Sequence, residues 1–314
     1  MRIAHLSDLH VSSPAGVSPA RLLNKRLTGY VNWRLRRSAM HRPEYVAAIA
    51  KEISRQAVDH VVVTGDITNL ALEQEFDLAA QVLRDGLGAD ASCISVVPGN
   101  HDLYTGGAER AQRFATCFAG YMTSDLPLYS VSVPAGRFPF VRLRGPVVVI
   151  GLSSALARAP MVASGCVGRS QLHALARILE DKEVRGRTPV IMVHHPVHNP
   201  PSCVKSALEG LSDAGELREI LNRLTRGLVV HGHLHRRVRR SVRTIAGSIP
   251  AVGATSASLQ HPDEARVAGF NVYEIDDAGS VTHVDAHVFE PEHGTFRSRP
   301  IASTSEYPPP LSRA

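Results

Sequence analysis

Short apolar runs alternate with stretches of helical periodicity along most of this 314-residue chain. Apolar runs bounded by Gly, Pro, Asn or Asp read as buried strands. They cover Arg2–Leu6, His60–Thr64, Cys93–Val97, Val147–Leu152, Val190–Val193, Leu228–His231, Gly247–Val252, Phe270–Ile275 and Thr282–Phe289. Between them, Tyr45–Gln56 sets Val46, Ile49, Ala50 and Ile53 at helical spacing, and Leu72–Leu83 is similar. Gln171–Leu179 puts Leu172, Leu175, Ile178 and Leu179 on one stripe. The first half therefore reads βαβαβ, which gathers strands into a sheet with covering helices. The last third is richer in strands, so a mixed α/β sandwich of two sheets is expected rather than one doubly wound sheet. One domain is expected over 1–290, with an insert at 11–43. Residues 291–314 form a C-terminal extension, unpacked at its proline-rich end.

Composition changes this picture little. The chain is 44% hydrophobic and 20% charged, with a formal charge of +6, and is long enough to bury a core without staples. No apolar run approaches the roughly 20 residues that span a bilayer, and MRIAHLSDLH lacks the apolar segment of an export signal. Cys93, Cys117, Cys166 and Cys203 are scattered, without a CxxC pair, so reduced thiols are expected. The expected location is cytoplasmic, with peripheral contact to the inner membrane face as an option.

The chemistry lies at the strand ends. GLVVHGHLHRR, at 227–237, places His231, His233 and His235 at alternate positions behind an apolar run. Other runs end in Asp8-Leu9-His10, in Gly65-Asp66 with Asn69 beyond, in Gly99-Asn100-His101-Asp102, and in His194-His195-Pro196. Ligands are commonly held just past the carboxyl ends of strands in open α/β sheets. Carboxylate, imidazole and amide oxygen without thiolate suit Mn²⁺, Fe²⁺ or Zn²⁺ in a working site rather than a closed structural zinc site. Seven or eight donors exceed one ion; they suit two, about 3.5–4 Å apart and sharing a carboxylate, as in displacement at phosphorus. Gly65, Gly99 and Gly232 would let backbone approach such ions. Asn69 is read as a cap on the following helix.

In this order, DxH, GDxxN, GNHD, HHP and GHxH resemble the calcineurin-like metallophosphoesterase superfamily, in its class III cyclic-nucleotide phosphodiesterase and glycerophosphodiesterase branch. The likeness covers roughly residues 1–255. It implies a four-layer α/β/β/α sandwich of two mixed sheets holding two divalent cations, Mn²⁺ and/or Fe²⁺, with Zn²⁺ as the alternative. By that resemblance Asp8, His10, Asp66 and His235 hold the first metal, and Asp66, Asn100, His194 and His233 the second. The implied reaction is hydrolysis of a small phosphodiester by a metal-bridging hydroxide, with His101 facing the leaving group and Asp102 orienting His101. His195 and His231 are expected beside the ligands; His198 and Tyr104 are candidate pocket residues.

The insert leaves the substrate open. From Pro19 a helix would carry Leu23, Leu27, Tyr30, Val31 and Leu35 on one stripe, with Arg21, Lys25, Arg26, Arg34, Arg36 and Arg37 elsewhere and Trp33 nearby. Such a basic amphipathic helix over 19–37 can lie on an anionic membrane, or pack its stripe on the sandwich with the arginines in water. In the first case the substrate becomes lipid-linked, as for the UDP-2,3-diacylglucosamine pyrophosphatases, whose inserts this stretch faintly resembles. The basic stretch 236–243 follows the last ligand and could bind phosphate from the rim, but its alternation is read as the outer face of a strand. Small net charge and 5% aromatic content argue against nucleic acid as partner. The intact GNHD argues against an inactive scaffold. Strands beyond residue 255 could support a homodimer.

Overall fold

The computed structural model describes residues 1–12, 26–27 and 40–304. Its strands are β1 (Arg2–Leu6), β2 (His60–Val63), β3 (Ile94–Val96), β4 (Val131–Val133), β5 (Gly136–Phe138), β6 (Phe140–Arg144) and β7 (Val147–Gly151). The second half adds β8 (Thr188–Met192), β9 (Leu228–His231), β10 (Val238–Thr244), β11 (Gly247–Gly253), β12 (Gly269–Ile275), β13 (Val281–Glu290) and β14 (Thr295–Pro300). Apart from the β4–β5 hairpin they form two six-stranded sheets. Sheet 1 runs β14-β13-β12-β1-β2-β3 and sheet 2 runs β10-β11-β9-β8-β7-β6. Both are mixed. β1, β2 and β3 are mutually parallel, as are β7, β8, β9 and β11, with antiparallel strands outside them. Thr295–Pro300, expected within the C-terminal extension, forms the edge strand of sheet 1.

The alternation of side chains along a strand splits the residues of sheet 2 between two cores. Val147, Val149, Val190, Met192, Leu228 and Val230 face the core shared with sheet 1. Val148, Ile150, Ile191, Val193 and Val229 face the opposite way, onto helices Arg169–Glu180 and Ala214–Leu221 through Leu172, Leu175, Ile178, Leu217 and Leu221. The outer face of sheet 1 is covered by α1 (Pro43–Arg55) and α2 (Glu73–Gln81). The result is the expected α/β sandwich, helices outside and two sheets within. Each fully buried Val or Leu contributes roughly 1.5–3 kcal/mol, so strands apolar on both faces belong at the centre.

Helix α1 forms as its sequence dictates. Pro43 opens it, Glu44 lies in the first turn and Arg55 in the last, and Tyr45, Val46, Ile49, Ala50 and Ile53 are buried. The cap expected from Asn69 is corrected: the Glu75 carboxylate accepts from the backbone N–H of Leu70 at 2.8 Å and of Leu72 at 3.1 Å.

Of residues 19–37, only Arg26 and Leu27 fall among those described; the rest of the expected stripe, and any membrane contact through it, lies outside them. At these two positions the alternative of a packed stripe with arginines in water is not met. Leu27 is 47% exposed, whereas Arg26 is 4% exposed and donates to the carbonyls of Leu70 at 2.8 Å and Ala71 at 2.6 Å. Two backbone acceptors in the turn before α2 reward a charged donor more than an aliphatic chain.

Candidate metal centre

Parallel neighbours end on the same edge of a sheet, so the loops after β1, β2, β3, β8 and β9 emerge together. They carry Asp8 and His10; Asp66; Asn100 and His101; His194; and His233 and His235. The turns are unusually tight. Eight described residues other than glycine have positive φ, and five of them are Asp8 (51°), His10 (45°), Asp66 (49°), His233 (69°) and His235 (47°). This left-handed backbone is disfavoured for residues with a Cβ and concentrates at functional sites. Close approach completes the packing. A Cβ on Gly232 would overlap Ser7 Oγ and press on Asp8 Oδ2; there the loop after β9 meets the loop after β1.

Asp8, His10, Asp66 and His235 bring one ligand atom each within 4.8 Å of one another. Asp8 Oδ1, fully buried and without a hydrogen bond, faces His235 Nε2 at 3.2 Å, and His10 Nε2 lies 3.0 Å from His235 Nε2. A second group lies beside it. His194 Nε2 and His233 Nδ1 each stand 3.2 Å from Asn100 Oδ1, and His194 Nε2 is 3.4 Å from Asp66 Oδ2. Asp66 thus touches both groups.

The ring orientations follow from backbone carbonyls, which can only accept. His194 Nδ1 donates to Thr64 at 2.7 Å, and His233 Nε2 donates to Glu209 at 2.9 Å. With those nitrogens carrying a proton, the opposite nitrogen of each ring, once deprotonated, directs a lone pair to the side of Asn100 Oδ1 and is free to take a metal ion. Imidazole nitrogens, amide oxygen and carboxylate converge here at 3.2–3.4 Å, an arrangement that a shared proton or a metal cation can bridge. The donor set fits two divalent metal ions, and it is imidazole, carboxylate and amide as such ions require.

Electrostatics agree. Burial alone would raise the Asp8 and Asp66 carboxyls, but His235 beside Asp8, and His194, His101 and His10 around Asp66, bring both below the ordinary range. Burial disfavours a charged His194, yet Asp66 and Asp8 raise it to about 9. Two carboxylates with buried imidazoles make a pocket that demands positive charge.

His101 stands at the rim. Its ring Nδ1 donates to the Asn69 carbonyl at 2.6 Å, its backbone N–H donates to Asp66 Oδ1 at 2.7 Å, and Tyr104 stacks on the ring at 5.4 Å. Asp102 does not orient it. The buried Asp102 carboxylate accepts from Gly99 N–H at 2.9 Å and from Thr68 N–H and Oγ at 2.8 and 3.0 Å. Those donors in the two adjoining turns consume its oxygens, so Asp102 ties the turns together. Burial, with Asp66 nearby, raises its carboxyl to about 7.

His195 is packed under the ligands with both nitrogens engaged, Nδ1 with Ser154 Oγ and Nε2 with the Ala163 carbonyl, each at 2.8 Å. His231 is buried at the end of β9, its Nδ1 3.1 Å from the Gly232 carbonyl. His198 is not in the cluster. It lines a separate cavity of about 900 Å³ with Arg218, Arg240 and Arg243, because Pro196 and Val197 carry the chain away from the ligands. One residue was missed: His41 lies edge-on to His10, ring centroids 4.9 Å apart, and 5.9 Å from the His235 ring. No motif surrounds it. Its one signal is its place, where an insert that leaves from a ligand loop returns to the first long helix.

The sequence pattern of the calcineurin-like phosphoesterase family matches residues 1–237, and the chain belongs to that family. It is a metal-dependent phosphoester hydrolase by that membership. The fold is similar to that of a dimetal phosphatase from Danio rerio, at 15% identity, covering 91% of this chain and 94% of that one with a TM-score of 0.54. It is also similar to a purple acid phosphatase from yellow lupin seeds, at 11% identity, covering 99% of this chain and 57% of that one, TM-score 0.53. No curated protein matches the chain. No helix among the described residues is long and apolar enough to cross a membrane.

Proposed function

We propose that the chain hydrolyses a small phosphodiester, of cyclic-nucleotide or glycerophosphodiester type, at a pair of divalent cations. Asp8, His10, Asp66 and His235 hold one cation, and Asp66, Asn100, His194 and His233 the other. The observation that carries this reading is the meeting of imidazole, carboxylate and amide donors from both sheets around Asp66. When bound, the ions would supply Lewis acidity toward the phosphoryl oxygens and lower the pKa of water. The chain's own part is positioning. Carbonyls of Thr64 and Glu209 hold His194 and His233 in the required tautomers. Because His101 Nδ1 donates to the Asn69 carbonyl, Nε2 is the nitrogen left for substrate, and as the imidazolium it would donate its proton to the departing oxygen. Two carboxylates against two divalent cations leave a net positive site, matched to an anionic ester.

A second reading, hydrolysis of a lipid-linked substrate such as a UDP-diacylglucosamine, is favoured by the contacts of two insert residues with the site loops. Arg26 is bound to the carbonyls of Leu70 and Ala71 just after Asn69, His41 lies beside His10, and Leu27 is exposed.

The test is hydrolysis of bis-p-nitrophenyl phosphate by the full chain, before and after chelation and after return of Mn²⁺. Rescue is expected; activity indifferent to chelation would overturn the proposal. A panel of cyclic nucleotides, glycerophosphodiesters, UDP-diacylglucosamine and single-stranded DNA then ranks the substrates.

A further inference from the structure

The first group of donors has a neighbour that the motifs do not supply. One ring nitrogen of His41 lies within 4.8 Å of ligand nitrogens of His10 and His235, so two donor sets, Asp8/His10/Asp66/His235 and His10/His41/His235, share that pair. The position of His41 is built. His41 bridges Leu259, Arg42 N–H donates to the Ser258 carbonyl at 2.8 Å, and Gln260 N–H donates to the Met40 carbonyl at 2.8 Å. Two residues on, Pro43 starts α1, so the approach is fixed from both sides. The ring is held too, with Nδ1 2.7 Å from Ser258 Oγ. Ser258 Oγ lies 3.2 Å from Ser256 Oγ, which donates to the Asp8 carbonyl at 2.6 Å. This short chain of hydroxyls links His41 to the backbone of a ligand residue, as outer partners commonly orient metal-binding imidazoles.

We propose that His41 is an additional ligand of the first metal position, coordinating through Nε2 while Ser258 holds Nδ1. The inference rests on the dinuclear reading above. It makes the two positions unequal. The first receives Asp8, His10, His41, Asp66 and His235, one short of the six donors of an octahedral ion, whereas the second receives Asp66, Asn100, His194 and His233. The insert thereby becomes part of the metal centre, because the residue that closes it also closes the first coordination sphere.

The experiment is Mn²⁺ binding by the full chain after chelation, followed by calorimetry and by electron spin-echo spectroscopy that counts coordinated histidine nitrogens. Wild type should bind two ions with five histidine nitrogens between them. His41→Gln, which keeps a polar partner for Ser258, should show four, with the affinity for one ion weakened by about tenfold or more. His41→Ala should weaken the same ion. The count on wild-type protein needs no variant to fold. Four nitrogens in wild type, or unchanged affinities in His41→Gln, would overturn the proposal and leave the dinuclear reading intact. A wild-type chain that binds no Mn²⁺ would overturn both.

Discussion

The two sheets bring different chemistry to the same edge. Sheet 1 ends in Asp8, Asp66 and Asn100, so it contributes every carboxylate oxygen of the centre, along with His10. Sheet 2 ends in His194, His233 and His235, and contributes imidazole alone. Neither edge is a cation site by itself. Sheet 1 alone concentrates negative charge under burial, and sheet 2 alone crowds neutral rings. The contrast teaches that the site depends on the apposition of the sheets, and that the shared apolar core sets the distances between donors.

Exchange of single donors should expose this asymmetry most strongly. Asp66→Asn removes charge from a side chain whose carboxylate touches both groups, so both ions should be lost. Turnover should fall by about 10³-fold, because several kcal/mol of charge stabilisation goes with them. His235→Ala, on the other sheet, should cost one ion only. Metal analysis beside diester kinetics measures both; equal metal loss in the two variants would erase the distinction between the sheets.

The seam can be wedged apart without exchanging a donor. Gly232→Ala places a methyl against Ser7 and Asp8, and should destabilise the fold by about 1–3 kcal/mol. Weaker metal binding should accompany the loss, read by urea unfolding and Mn²⁺ titration.

The turn that supports His101 on the sheet 1 side has its own pH dependence. Burial raises Glu75 from 4.5 to about 7, against the backbone N–H groups that bond it. The folded state therefore holds a proton that the unfolded chain gives up. The corresponding stability is complete below about pH 4.5 and is lost as pH rises through about 7. Glu75→Gln keeps an acceptor without that proton. Relative to wild type it should gain roughly 3 kcal/mol between pH 4.5 and 8, as each pKa unit is worth about 1.4 kcal/mol. Unfolding curves at both pH values check the sign.

The smallest effect is expected at the rim. Tyr104→Ala removes the ring stacked on His101 and should lower kcat several-fold with metal content unchanged, since a stacked pair contributes about 0.5–1.5 kcal/mol.

Much of the architecture was readable beforehand. The five ligand-bearing strands are short apolar runs ending in turn residues, a signal that needs no tertiary information. The stripe of α1 was equally plain. Other elements carry no such signal. Thr295–Pro300 is a mostly exposed edge strand with two Arg among its six residues. Strand β6 has Arg142 at its centre, fully buried, donating to the carbonyls of Ala91, Ser92 and Gly120. No hydrophobic pattern announces a guanidinium in a core. At the site, the motif residues were identified by type and order, whereas orientation was not. That Asp102 faces Thr68 and Gly99 while Asn69 holds His101 depends on which turns abut. His41, Arg26 and Ser258 owe their places to docking of the insert, which one-dimensional spacing does not encode.

The left-handed turns have a consequence for protein engineering. Copying seven side chains onto the strand ends of another α/β scaffold would not reproduce this centre, because Asp8, His10, Asp66, His233 and His235 project from backbone that ordinary loops avoid. A successful graft would transplant whole loops, glycines included, and a library that varied residue identity on fixed conventional loops would search the wrong space.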